Sequence, residues 1–183
     1  IEDRHRSLRS ALDWSYALLD EPERAVLRRV SAFAGPFTAI AAAVVLADWP
    51  PVPAGHVPII LAGLADQSLL IAIAGPGGTR YRALETIRQY GVDRLGEAGE
   101  SVEALARHLS WCLGESAALE LASPEVAGAW RAAFDQVADE LRGALTWAAG
   151  HTRYRPESYR LALGLGRLSF IRGMPGESQR RYE

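Results

Sequence analysis

The sequence predicts a mainly α-helical protein that contains one β-hairpin. Residues 69–74 form an uninterrupted apolar run of the length expected for a short strand, and the Gly-rich residues 75–78 separate it from a second short run at residues 79–83. Elsewhere apolar residues recur at steps of three and four, as on one face of a helix. An apolar helix ends near Gln67, directly before the hairpin. This order of helix, strand, turn and strand is typical of a winged helix.

Capping residues predict where the first helices begin. Ser7 can cap a helix over residues 8–19, and Asp20 with Glu23 has the spacing of a capping box for the second helix. Thr38 can cap a third helix, whose almost wholly apolar sequence predicts burial on more than one side. The predicted inward face of the first helix consists of Leu8, Ala11, Leu12, Ser15, Leu18 and Leu19.

A fifth helix follows the hairpin and ends the first domain. Its apolar stripe consists of Leu84, Ile87, Gly91 and Leu95. Gly96 and Gly99 end this helix, since glycine is a poor helix former. We therefore place the boundary between a winged-helix domain, residues 1–98, and a helical domain, residues 99–183, at this point.

The second domain is predicted to consist of antiparallel helices. Ser101 caps the sixth helix, Ser123 and Pro124 begin the seventh, and Pro156 opens the eighth. The stripe of the seventh helix is the longest in the chain and consists of Val126, Trp130, Phe134, Val137, Leu141, Leu145 and Ala148. Helix pairs joined by short turns suit a TPR-like solenoid, and residues 177–183 are expected to begin a ninth helix.

Three strings of the sequence carry a resemblance to a known family: RYRALETIRQYGVDRL at residues 80–95, LADQSLL at residues 64–70 and HRSLRSALDWSYALL at residues 5–19. They resemble the winged-helix region of bacterial STAND-class signalling ATPases, many of which are LuxR-type or SARP-type transcriptional regulators. In that family an NB-ARC-like ATPase domain precedes the winged helix, and TPR-like repeats follow it.

The resemblance implies a non-catalytic, regulatory role for this chain. The winged helix is expected to couple an upstream ATPase domain to the helical repeats, which would bind a protein or small-molecule effector. ATP or ADP is then expected in the parent protein, and no cofactor is expected in this chain.

The resemblance also implies that residues 80–88 face the ATPase domain. The predicted interdomain or regulatory residues are Arg80, Arg82, Leu84, Glu85 and Arg88. Related ATPases often carry a Met-His-Asp motif here, which corresponds to Ala83, Leu84 and Glu85. Leu84 cannot donate a hydrogen bond to a phosphate, so we interpret it as a core residue of the fifth helix. The alternative for this segment is a solvated face with local ion pairs such as Glu85 with Arg88.

DNA binding is the alternative function. The helix over residues 58–67 occupies the recognition position, but its one charged residue is Asp66, and base edges and phosphates are usually contacted by polar or basic side chains. Arg80 and Arg82 on the wing could contact a DNA backbone. Because two arginines neutralise few phosphates, DNA binding through this chain is not expected and a winged helix used for protein packing is favoured.

No catalytic or metal site is predicted. The Gly-rich residues 75–78 lack a following Lys-Ser/Thr and lead into a strand, so they do not match a phosphate-binding loop. The histidines are far apart in the sequence, at His5, His56, His108 and His151. With Cys112 as the one cysteine, the sequence offers no clustered set of metal ligands.

Bulk properties point to a cytoplasmic location. A lone cysteine fits a reducing compartment, the net charge is −2, and no apolar run approaches the ~20 residues of a membrane span. The chain begins with Ile1 and its last residues lie inside a predicted helix, so we expect it to be a fragment. Self-association through uncovered apolar faces of the seventh and eighth helices is expected.

Overall fold

A computed structural model describes residues 2–75, 77–122 and 127–173, and it confirms the predicted mainly α fold with a small sheet. The helices are α1 (Glu2–Leu18), α2 (Glu21–Val30), α3 (Ala39–Val45), α4 (Val57–Asp66), α5 (Glu85–Glu97), α6 (Ser101–Leu121), α7 (Ala127–Ala149) and α8 (Arg155–Arg172). The strands are β1 (Phe37–Thr38), β2 (Ile71–Gly75) and β3 (Gly78–Arg82). The predicted start of the seventh helix at Ser123 and Pro124, and the predicted ninth helix, lie outside the described residues.

The sheet contains the predicted hairpin and one strand that was not predicted. β2 and β3 pair antiparallel, and β1 pairs with the other edge of β3, with Phe37 opposite Tyr81 and Thr38 opposite Arg80. A two-residue strand is too short to show an alternating pattern, so β1 has no sequence signal of its own. Its pairing covers one edge of the wing and places Phe37 in the core beside Phe33, with ring centroids 4.6 Å apart.

Of the predicted starts of the first three helices, two are confirmed and one is wrong. The Glu23 amide donates to Asp20 Oδ1 at 2.8 Å and the Asp20 amide donates to Glu23 Oε2 at 2.9 Å, which completes the capping box of α2. The Ala41 amide donates to Thr38 Oγ1 at 3.1 Å and caps α3. The first helix, however, begins at Glu2, so Ser7 lies inside it and does not cap it.

The chain folds into two compact units, residues 1–104 and 105–183. The apolar core of the first unit includes Val26, Leu27, Val30, Phe33, Phe37, Leu61, Leu64, Leu69, Leu70, Ile87 and Leu95. Compactness alone does not show which segment folds independently, so the domain boundary after residue 98 stays a prediction.

In the second unit, α7 supplies the core as its stripe predicted. The described members of that stripe are all buried, namely Trp130, Phe134, Val137, Leu141, Leu145 and Ala148. Trp130 Nε1 also donates to the carbonyl of Leu119 at 3.0 Å, which satisfies the indole N–H in a buried position. From α8, Leu161, Leu165 and Leu168 pack into the same core. The 3.6-residue period thus predicted this part of the fold correctly.

A buried ionic cluster joins distant parts of the first unit. Glu100 accepts hydrogen bonds from Arg28 at 2.9 and 3.0 Å and from Arg29 at 3.0 and 2.9 Å. Arg29 also donates to the carbonyls of Trp49 and Pro50 at 2.9 and 2.8 Å, and its guanidinium carbon lies 3.8 Å from the centroid of the Trp49 ring. We call these residues the Glu100 cluster. It connects α2, the loop before α4 and the residue directly before α6.

The Glu100 cluster contributes stability because the carboxylate is held in its charged form. Burial by itself would raise the pKa of Glu100, but the hydrogen bonds from Arg29 and Arg28 outweigh burial and lower the pKa to about 2. A depressed carboxyl pKa contributes stability above the pKa of the unfolded chain. That contribution is lost as the pH falls from about 4.5 towards about 2.

We therefore expect Glu100→Gln to lower the free energy of unfolding by about 2–4 kcal/mol at pH 7, since the buried Arg29 loses its carboxylate partner and the buried Arg28 keeps only its ion pair with the exposed Glu21. Urea unfolding of the 183-residue chain, followed by circular dichroism, measures this. The difference from the wild type should shrink as the pH is lowered from about 4.5. The matched control is Glu97→Gln, whose exposed pair with Arg94 should contribute less than about 1 kcal/mol. Equal losses in both variants would contradict the assignment.

A second constraint is the close approach of α5 to α2 at Gly91. A Cβ atom added there would lie 1.9 Å from Ser31 Oγ, 3.0 Å from Ser31 Cβ and 3.3 Å from the carbonyl oxygen of Leu27. The hydroxyl could rotate, but the Cβ atom and the backbone carbonyl could move only if the helices separated. The predicted apolar stripe of α5 thus includes a glycine because no larger residue fits.

Gly91→Ala should accordingly destabilise the chain by about 1–3 kcal/mol through overpacking. Gly96→Ala on the same helix is the control, because its Cβ would meet nothing closer than Ser101 Oγ at 3.8 Å. That change should be neutral or stabilising by up to about 1 kcal/mol. Adding Ser31→Ala to Gly91→Ala should restore part of the lost stability. The same unfolding measurement applies, and a Gly91→Ala variant as stable as the control would refute this account.

Candidate functional site

The predicted regulatory residues of the wing have different environments. Arg80 is half-buried, and its Nη2 donates to the carbonyl of Pro36 at 2.6 Å. Arg82 is exposed at the end of β3. Leu84 occupies the N-cap position of α5 and is 49% exposed. The interpretation of Leu84 as a core residue is therefore wrong, because its extended backbone places it before the first turn of the helix.

The structure brings Glu85 and Arg88 together as an ion pair on the first turn of α5. Arg88 Nε and Nη2 donate to the two carboxylate oxygens of Glu85 at 2.9 and 2.8 Å. The hydrogen bond from Arg88 lowers the pKa of Glu85 below its usual value. Since Glu85 is exposed, water screens this pair, and Glu85 can change partner at small energetic cost.

Glu85 also borders a groove between α1 and α5, within the first unit. The groove has a volume of about 390 Å³. It is lined by Leu8, Arg9, Leu12, Glu85, Thr86, Gln89, Tyr90 and Asp93. We call it the α1–α5 groove. Its apolar floor and charged rim are the features of a surface that binds a peptide segment or another domain.

Hydrogen bonds between α1 and α5 hold the groove in shape. Tyr90 Oη donates to Asp13 Oδ1 at 2.8 Å, and Arg9 Nη1 lies 3.0 Å from Asp93 Oδ2. Burial and the bond to Asp13 both raise the pKa of Tyr90, so the phenol stays protonated. Tyr16 packs edge-on against Tyr90, with ring centroids 5.7 Å apart. The sequence gives no signal for these pairs because their members lie about 80 positions apart.

The apolar face of α1 is largely exposed, contrary to prediction. Of its six predicted inward residues, Leu19 is buried, whereas Leu8, Ala11 and Leu18 are exposed. Trp14 on the same helix is 68% exposed. Of these exposed apolar residues, Leu8 borders the α1–α5 groove. Exposed apolar side chains grouped on one helix mark an interaction site more often than a solvated surface.

The side of the first unit that a DNA-binding winged helix would use is also apolar. α4 carries no Arg or Lys, and its Ile59 is 70% exposed. On the neighbouring helix α3, Ile40 and Val44 are exposed one turn apart. Arg80, which was considered for a DNA backbone contact, is engaged with Pro36. These residues can contact an apolar partner, but they offer a phosphate backbone little charge.

The second unit contains a buried polar cluster that was not predicted from the sequence. His108 Nε2 lies 2.9 Å from Glu140 Oε2, and Cys112 Sγ lies 3.8 Å from His108 Nδ1. Burial raises the pKa of the Cys112 thiol, so this cysteine is not an activated nucleophile. Within the described ranges, no group of three or more His, Cys, Asp or Glu residues could hold a metal ion. The sequence signal for this cluster was the i, i+4 spacing of His108 and Cys112, which places both residues on one face of a helix.

Over the same described ranges, every helix is too short or too polar to cross a lipid bilayer.

Comparisons with known proteins point to transcriptional regulators. A Mycobacterium tuberculosis H37Rv protein, provisionally named an HTH-type transcriptional regulator, is 36% identical over 147 residues, which is 79% of this chain and 16% of that protein. A similarly named Mycobacterium bovis protein matches with the same values. An uncharacterised protein of the same M. tuberculosis strain is 35% identical over 103 residues, or 56% of this chain and 26% of that protein.

This chain spans about a sixth of the length of the relatives named as regulators. No protein-family model matches it, and no solved structure matches it. It is thus similar to a segment of named transcriptional regulators, and their names denote regulators rather than enzymes.

Proposed function

We propose that this chain is a non-catalytic coupling module within a STAND-type transcriptional regulator. In this proposal its first unit is a winged helix that contacts an upstream nucleotide-binding domain, and its second unit provides TPR-like helices that bind a partner or effector. ATP or ADP would bind the upstream domain rather than this chain. The observation that supports the proposal best is the α1–α5 groove with Glu85 on its rim, because it joins an open apolar surface to the segment that the family resemblance assigns to the interdomain contact.

The chemistry of the groove suits a contact that forms and breaks. Interfaces between domains of one chain tend to be modest in area and polar, so their open and closed states can differ by only a few kcal/mol. Glu85 is exposed and its pair with Arg88 is local, so an incoming positive charge can replace Arg88 as the partner of Glu85 without leaving a buried carboxylate unpaired. Leu8 and Leu12 would supply the apolar area of the contact.

Charge reversal at Glu85 tests this proposal. In the full-length gene product, Glu85→Arg should change the rate of nucleotide exchange or turnover by about tenfold, because the rim charge alters the balance between the two states. Stopped-flow release of a fluorescent nucleotide measures exchange. Glu97→Arg is the control, because Glu97 forms the same type of i, i+3 pair with Arg94 on the same helix outside the groove. Unchanged exchange in a folded Glu85→Arg protein would count against the proposal.

DNA binding remains the second candidate, and the names of the mycobacterial relatives favour it. Helix α4 lacks basic residues and Arg80 is engaged, so we expect the 183-residue chain to show no specific DNA binding at about 150 mM salt. A gel shift with the promoter region of its own gene and excess competitor DNA is the measurement. A shifted band that survives the competitor and disappears on Arg82→Ala would establish the DNA-binding function instead.

A further inference from the structure

An exposed apolar stripe runs along α8 in the second unit. Tyr159, Leu163 and Phe170 are 64%, 47% and 69% exposed. At 100° per residue these three side chains project within a narrow sector of the helix. The opposite side of α8 is buried in the core of the unit through Leu161, Leu165 and Leu168. Because α8 is apolar on both sides, its outer stripe is not needed for the core of its own unit.

Two arginines form one edge of this stripe. Arg160 and Arg167 lie seven residues apart, so they project in nearly the same direction and are separated by about 10 Å along the helix. Arg167 Nη1 lies 3.4 Å from Glu120 Oε2 and its side chain is largely exposed. Among the described residues no carboxylate pairs with Arg160. The edge therefore has more positive charge than its own unit neutralises.

A groove between α6 and α8 lies on the same edge. It has a volume of about 250 Å³ and is lined by Leu113, Ser116, Ala117, Glu120, Arg160, Leu163, Gly164 and Arg167. The helices approach closely at Gly164, where an added Cβ atom would lie 2.3 Å from Ser116 Oγ. Because Gly164 has no side chain, the groove stays open beside Leu163.

We propose that the α8 stripe and the α6–α8 groove bind an amphipathic helix that carries acidic residues along one flank. Apolar side chains of that helix would cover Tyr159, Leu163 and Phe170, which span about 16 Å and so require about three helical turns. Carboxylates two turns apart on the partner would face Arg160 and Arg167. This inference rests on the proposed function in one respect, namely that the second unit binds a partner, and it specifies the chemical class of that partner.

Charge complementarity argues against a second copy of this chain as the occupant. Glu157 is the one carboxylate in α8, and it is half-buried. If two α8 helices packed antiparallel about a twofold axis, the arginine edge of one would face the arginine edge of the other, and like charges facing each other repel. A helix with acidic flanks removes this repulsion and uses both arginines.

The test uses the 183-residue chain and two designed helical peptides of 18 residues. Both have a leucine stripe at i, i+3, i+4 and i+7 spacing; one has Glu on its flanks and the other has Lys at the same positions. Fluorescence anisotropy at about 150 mM salt gives the two dissociation constants. We expect the Glu peptide to bind at least about tenfold more tightly, and Arg160→Glu with Arg167→Glu to reverse that preference.

Exposed substitutions distinguish the stripe from the rest of the molecule. Phe170→Ser should weaken binding of the Glu peptide by about tenfold, whereas Ile40→Ser, an equally exposed change in the first unit, should leave it unchanged. Circular dichroism checks that both variants remain folded. Absence of binding, equal binding of both peptides, or an unreversed preference in the double variant would overturn the proposal.

Sedimentation of the wild-type chain tests the alternative that the stripe binds a second copy. A dimer of the wild-type chain that Phe170→Ser converts to a monomer would assign the stripe to a second copy and overturn the acidic-helix proposal. Failure here would leave the Glu85 test intact, because the two experiments probe different units.

Discussion

The first unit depends on the charge balance around Glu100. Two adjacent arginines point into a protein interior, and buried guanidinium groups are costly unless charge and hydrogen bonds compensate them. Glu100 supplies the charge, while the carbonyls of Trp49 and Pro50 accept from Arg29. Three segments far apart in sequence are thereby fixed in one place. The fixed position of Glu100 limits where α5 can lie, because α5 joins the wing to Glu100 along the chain. α5 also approaches Ser31 so closely that no side chain fits at Gly91.

Local sequence signals predicted local structure well. The capping box at Asp20, the cap at Thr38, the hairpin and the stripe of α7 were all correct, because each depends on neighbours within a few residues. Signals failed where partners are distant. No periodic pattern in the sequence indicates strand β1 or the pairing of Arg28 and Arg29 with Glu100. Two arginines beside the buried residue Val30 were, however, a local sign of buried charge. Of the candidate site, the segment 80–88 came from family resemblance, whereas the groove beside it required the packing of α1 on α5. Leu84 was assigned to the core from helical spacing, but the helix begins one residue later.

The winged-helix order of elements does not by itself imply a DNA-binding surface. DNA recognition requires side chains that neutralise phosphates and reach base edges. In this chain the helix before the hairpin presents Ile59, and Arg80 in the middle of β3 donates to the backbone carbonyl of Pro36. The same scaffold thus presents apolar surface where a DNA-binding relative of the fold would present charge, and such a surface is suited to another protein. Function here follows from the side chains on the fold rather than from the fold.

The ion pairs of the Glu100 cluster and the Glu85–Arg88 pair differ in burial, and this difference suits their roles. Arg29 is almost fully buried and donates to Glu100 and to two carbonyls, so its displacement would leave several buried groups without partners. Glu85 is exposed and bonds to one neighbour on the same helical turn, so its displacement costs little. A permanent framework needs the first arrangement, and a contact that must open and close needs the second. The difference in burial between the Glu100 cluster and the Glu85–Arg88 pair therefore separates the residues that hold the unit together from those that can respond to a partner.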